Sequence, residues 1–161
     1  MASVLKFPKL GSEKIVPLIT EPEKESEETA EDFAGRVENW RRFQGVEITV
    51  RLVDKERARG WGYRYDSTMA RDKKRVAEAK KRGEVPSDYT QEGIQELIKI
   101  QRDILKDSLV QVSGIQYGDT MIENITETTA LIDALDGCGL LHEVALAATN
   151  AQTPSPRQGE L

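Results

Sequence analysis

One cysteine, Cys138, and one histidine, His142, are all that 161 residues offer of the two side chains most used in disulfides, activated nucleophiles and soft metal sites. A lone thiol closes no disulfide within the chain, and a cysteine-based zinc site has too few ligands, so a reducing compartment is the natural reading. Aromatics make up only 6% of the chain, which leaves the core to aliphatic side chains. No stretch approaches the ~18 apolar residues of a membrane span, and Met1 to Leu10 holds no apolar run of signal-peptide length, so the sequence predicts a cytoplasmic protein with no membrane partner. At 38% hydrophobic residues, this length supplies one modest core and not two.

What the sequence does have is charge, 32% of all residues, and that charge is segregated. Met1 to Phe33 carries four basic against eight acidic residues, net −4. Ala34 to Gly83 carries fifteen against seven, net +8, and Glu84 to Leu161 four against thirteen, net −9. The overall value of −5 therefore hides two acidic ends flanking a basic middle. Such asymmetry favours oppositely charged neighbours, in the same molecule, in another copy or in a different partner.

Residues 1–28 hold Pro8, Pro17 and Pro22 and a Glu-rich run with no apolar period. They read as an extended acidic arm in which Ile15, Val16, Leu18 and Ile19 are apolar enough to dock on something. Residues 29–152 read as a single, mostly helical domain, and 153–161, with Thr153-Pro-Ser-Pro-Arg157, as a mobile C-terminal tail. Within the domain, Thr29 to Asp32 is a helix N-cap, followed by Phe33, Val37 and Trp40 at helical spacing to about Gln44 and Gly45. Val46 to Val53 alternates and is β-branched, which predicts a strand. Residues 54–65 admit two readings: a hairpin, from the alternation of Trp61, Tyr63 and Tyr65, or an early start to the basic helix that ends at Arg82. Ile94, Leu97, Ile98, Ile104, Leu105, Leu109 and Val112 predict one long central helix of about 22 residues. Two short helices follow, from Thr126 to Leu135 and from Leu140 to Asn150. The fold class is mainly α with a small β element.

Few residues have catalytic spacing. Cys138 and His142 are four apart, which on one continuous helix would set a thiol beside an imidazole, but Gly137 and Gly139 place the cysteine on a turn. Asp103 and Asp107 interleave with Lys99, Arg102 and Lys106 as ordinary solvated pairs do. Gly60, Gly62 and Gly83 fit no phosphate loop or dinucleotide fingerprint. The expectation is a protein without catalytic residues, metal or cofactor. The basic segment from Arg57 to Arg82, with its interleaved aromatics, has the makings of a single-strand nucleic-acid site, against which the overall acidity argues. Trp40 and Phe43 read as core contacts with charged edges. The partner-binding set is Ile15, Val16, Leu18 and Ile19 on the arm with Trp61, Tyr63, Tyr65, Arg71, Lys73, Lys74 and Arg75 on the basic segment.

The order of elements resembles a known group. A Pro- and Glu-containing arm, a short helix ending in Trp40-Arg-Arg-Phe43, a strand, a basic segment, then Ile104-Leu-Lys-Asp-Ser-Leu-Val-Gln-Val-Ser-Gly-Ile115, Tyr117-Gly-Asp119 and two short helices is similar to small tail assembly chaperones of long-tailed bacteriophages. Val110, Gly114 and Ile115 carry its one motif, and the resemblance covers about residues 29 to 152 while leaving the strand and Gly60 to Tyr65 unmatched. It implies a non-enzymatic morphogenesis protein in the host cytoplasm that binds tape-measure and tail-tube proteins. The alternatives are a structural virion subunit (a head–tail connector, tail or capsid accessory protein locked to neighbouring subunits) and, third, a nucleic-acid-binding protein. A homo-oligomer stays open.

Overall fold

Two-residue alternation and helical spacing compete along this chain, and together they yield an α+β fold. The computed structural model describes residues 9–84 and 88–152. In order these form β1 (Glu13–Pro17), α1 (Ala30–Arg42), β2 (Glu47–Arg51), α2 (Lys55–Lys81), α3 (Gln91–Ser108) and β3 (Leu109–Ser113). A hairpin of β4 (Gln116–Tyr117) and β5 (Thr120–Met121), a 3-10 turn at Ile122–Asn124, α4 (Thr128–Gly137) and α5 (Leu141–Ala151) complete the fold.

β1, β2 and β3 make an antiparallel sheet with β2 in the middle. Ile48 and Val50 are fully buried while Glu47 and Arg51 are exposed, so one face carries the core and the other stays open, as the alternation predicts. The arm reading needs correcting here. Residues 13–17 are extended, as an arm would be, but they are an edge strand paired with β2 from Glu13 opposite Arg51 to Pro17 opposite Glu47. Leu18 beyond it is core at 5% exposure, so the packed unit begins before Thr29. The Leu18 N–H donates to Val46 O and the Leu52 N–H to Ser12 O, which turns the even-numbered backbone groups toward β2. Pro17, being odd, sits with its missing N–H on the free edge, where it costs no ladder bond. Met1 to Pro8 and the predicted tail at 153–161 lie outside the described residues.

The question over residues 54–65 resolves as helix. Asp54 caps α2 by accepting from the Arg57 N–H at 2.7 Å, and Trp61, Thr68, Asp72, Val76 and Ala79 share its buried side. Helical spacing thus outweighs the alternation of 61, 63 and 65, and Gly60 and Gly62 are carried inside the helix at a cost of about 1 kcal/mol each relative to alanine. The predicted central helix is shorter than expected. α3 has 18 residues, capped by Thr90 Oγ1 accepting from the Gly93 N–H at 3.1 Å, and ends at Ser108, whose hydroxyl donates to Ile104 O. Leu109 and Val112, which also fit the helical stripe, belong instead to β3. Val110 is an extra residue opposite the Thr49/Val50 step, and this bulge turns both Leu109 and Val112 to the buried side against β2. The longest helix is α2, at 27 residues.

α4 runs two residues past the predicted stop, through Asp136 and Gly137, and Gly139 at φ 73° makes the turn into α5. α3, α4 and α5 cover the inner face of the sheet. Leu105, Leu109, Val112, Ile122, Leu131, Ile132, Leu135 and Val144 are the heart of the core, none more than 2% exposed. Gly114, at φ 88°, turns β3 out of the sheet where a Cβ would overlap the Gly45 carbonyl oxygen.

Candidate partner-binding faces

α2 and α3 lie antiparallel, and their charges mesh. Arg57, Arg64 and Arg71 are seven apart, so they line one edge of α2 at intervals of about 10.5 Å. They meet Asp107 at 3.5 Å, Asp103 at 2.9 Å and Glu96 at 3.8 Å. Arg75 extends the row to Glu96 at 3.0 Å and Glu92 at 3.4 Å. Its hydrogen bond to Glu96 leads the effects that raise its already high pKa. On the far side of α3, Arg102 bridges Asp133 and Asp136 of α4, both at 2.7 Å. Part of the +8 and −9 found in sequence is therefore neutralised inside the molecule.

Toward the end of this helix pair where α2 gives way to α3, a carboxylate is buried. Asp72, 2% exposed, accepts from the Thr90 N–H at 3.0 Å and from the Thr90 hydroxyl, with Arg75 at 3.7 Å. It lies so close over Gly93 that a Cβ there would overlap the carboxyl group. Burial pushes its pKa up, but the two Thr90 bonds and Arg75 outweigh that and hold it below the usual carboxylate range. The signal for this joint was an acid inside the basic run Arg71-Asp-Lys-Lys-Arg75, and reading by charge alone passed over it.

The partner set drawn from the sequence divides. Leu18 and Trp61 are core, and Val16 and Ile19 are half-buried against it, so these four hold the fold together. Arg71 and Arg75 are committed to α3. Ile15 stays exposed at 65% on the open sheet face, and Tyr63 and Tyr65 are exposed at 78% and 39%. Lys73 and Lys74 are exposed, as are Lys80 and Lys81 one heptad on, and none of the four has an ion-pair partner among the described residues. Tyr63, Ala70 and Ala77, also seven apart, run down the middle of this outer side of α2 with lysines on both flanks.

Sequence reasoning placed α1 but missed that its apolar stripe stays out of the core. Its predicted cap is present, Thr29 Oγ1 accepting from the Asp32 N–H at 3.1 Å. Yet none of its 13 residues is buried. Phe33, Val37 and Trp40 are half-buried on one side and do not pack against the core, which Phe43 alone of this group reaches. The reading of Trp40 as a core contact is thus corrected, and that of Phe43 stands. The helix is tied down by charge: Arg36 pairs with Glu28 at 2.6 Å and donates to Glu23 O at 2.8 Å.

Cys138 caps the end of α4, its thiol pKa pushed up by burial, while His142 opens α5 with Nδ1 3.0 Å from the Gln101 amide. They sit on either side of the Gly139 turn and not on one helix. Among the described residues no three His, Cys, Asp or Glu side chains are grouped to hold a metal, and no helix is long and apolar enough to cross a membrane. No family model, curated protein or solved structure matches the chain.

Proposed function

We propose that the chain is a non-enzymatic binding protein of phage tail morphogenesis, an assembly chaperone that holds a tape-measure or tail-tube protein in the host cytoplasm. The observation that carries the binding part is α1, an amphipathic helix whose Phe33, Val37 and Trp40 stripe stays out of the core. A 13-residue helix is marginal without tertiary packing, and a stripe at i, i+4 and i+7 is the form in which a helix is laid into an apolar groove. The phage assignment rests on the resemblance in layout.

Co-expression with the tape-measure protein of the same genome tests it. The wild-type chain keeps that protein in the soluble fraction, and the F33A/W40A variant loses it while unfolding at nearly the same temperature. A tape-measure protein that is equally soluble with both variants, or with neither, overturns the reading. A stoichiometric band for this chain in purified virions would replace it with that of a structural subunit.

A further inference from the structure

The outer side of α2 and the arm before α1 carry complementary charges that make no ion pair among the described residues. Lys73 and Lys80 form one row, Lys74 and Lys81 another, with exposed Ala70 and Ala77 between them as a shallow floor. Across from these in sign are Glu21, Glu23, Glu25 and Glu27, all exposed and without ion pairs among the described residues. Glu21 and Glu23 lie on irregular chain, and Glu25 and Glu27 on the turn that the Glu28 N–H closes by donating to Glu25 O at 3.1 Å, so the four carboxylates crowd into one short segment. The lysine block spans about 12 Å of helix axis, and its flexible four-carbon stems let the ammonium groups close over a compact acidic segment.

The arm does not lie on this face in its own molecule. Its backbone is strapped to α1 by the Arg36 bonds to Glu28 and to Glu23 O, with the other glutamates turned outward. The lysine face, for its part, is on the side of α2 opposite the row of arginines that meets α3. Each charge set is thus presented outward from a fixed element, and each chain carries one of each.

We propose that the lysine face of α2 takes the acidic segment 21–27 of a second copy of this chain. The contact is heterologous, arm of one molecule to helix of the next, so it builds short chains of molecules and not a closed pair. Being made of exposed charges, it is strongest at low ionic strength and screened once the Debye length falls to a few ångströms. It uses none of the α1 residues assigned to the client, so either reading can fail alone.

Sedimentation of the full chain tests it. The wild type associates at about 20 mM salt and returns to monomer at about 0.5 M, where the Debye length is near 4 Å. K73E/K74E/K80E/K81E has acidic arm and acidic face, E21K/E23K/E25K/E27K has basic arm and basic face, and each alone is monomeric at low salt. Mixed in equal amounts the two associate, because each arm now meets an opposite face. A peptide of residues 20–29 added in excess dissociates the wild type, a readout that needs no variant to fold. A monomeric wild type at low salt, or charge-reversed variants that stay monomeric when mixed, overturns the proposal. So does an oligonucleotide held by the lysines at physiological salt by a chain that does not self-associate, which assigns the face to nucleic acid.

Discussion

The body of this protein and the outer part of its α2–α3 pair are held together by different forces. In the body, aliphatic side chains from β2, β3, α3, α4 and α5 meet with exposures of 0 to 9%, and the polar groups are almost all backbone. Along the helix pair, only Trp61 of the residues α2 buries belongs to that core. Thr68, Asp72, Val76 and Ala79 lie beyond it, where arginine–carboxylate pairs and one buried aspartate take over. The lesson is that one 27-residue helix is anchored by apolar burial near its start and by charge and hydrogen bonding farther along. Each region therefore has its own way of failing.

The largest effect belongs to the body. Leu105 is fully buried where α3 crosses the sheet. Leu105→Ala removes its transfer free energy and leaves a cavity, an expected loss of about 2–5 kcal/mol in chemical denaturation. This loss should be independent of salt and nearly independent of pH. A loss below 1 kcal/mol would mean that the core is less tightly packed than its exposures indicate.

Asp72 is next. Asp72→Ala strands the Thr90 N–H and releases the start of α3 from α2, an expected loss of about 1–3 kcal/mol. The sign of its pH dependence follows from the depressed pKa. The contribution is present in full above the unfolded-state value of about 3.9 and is lost as pH falls through the lower folded value. Wild type and variant should therefore converge in stability as the solution is taken below about pH 4. Curves that stay parallel down to acid unfolding would show that the carboxylate form is not what holds the joint.

How much of this was legible in the sequence follows the same division. The β-branched alternation of Val46 to Leu52, the Thr29 cap and the stripe from Ile94 to Leu105 are local signals, and they became β2, α1 and α3. Leu109 and Val112, three apart, fit the helical period and face one side of a strand only because Val110 is an extra residue, so only pairing with β2 could decide between strand and helix. Ile15 to Ile19 read as an arm because a five-residue edge strand with a proline has little pattern of its own; its partner lies some 30 residues on. Among the site residues, exposure of Tyr63, Lys73 and Lys74 followed once α2 was helical. The commitment of Arg71 and Arg75 depended on the facing helix, and Trp40 looked like core because an apolar stripe has the same spacing whether it faces its own core or a partner.

The smallest expected effect sharpens the comparison most. Arg64 and Asp103 meet at 2.9 Å with 44% and 33% of their side chains exposed, so water screens the pair well. Arg64→Ala should cost about 0.2–1 kcal/mol at low salt and still less at about 1 M salt, where the Debye length is about 3 Å. Asp103→Ala should cost a similar amount, and the double variant little more than either alone, because each single change already removes the pair. That non-additivity distinguishes a working bridge from two charges that happen to be close. If the two losses simply add and do not change with salt, the row of arginines does not grip α3 through charge. The outer part of α2 would then be held by Val76, Ala79 and the Asp72 joint alone, and the arginines would be free, like the lysines behind them, to meet another molecule.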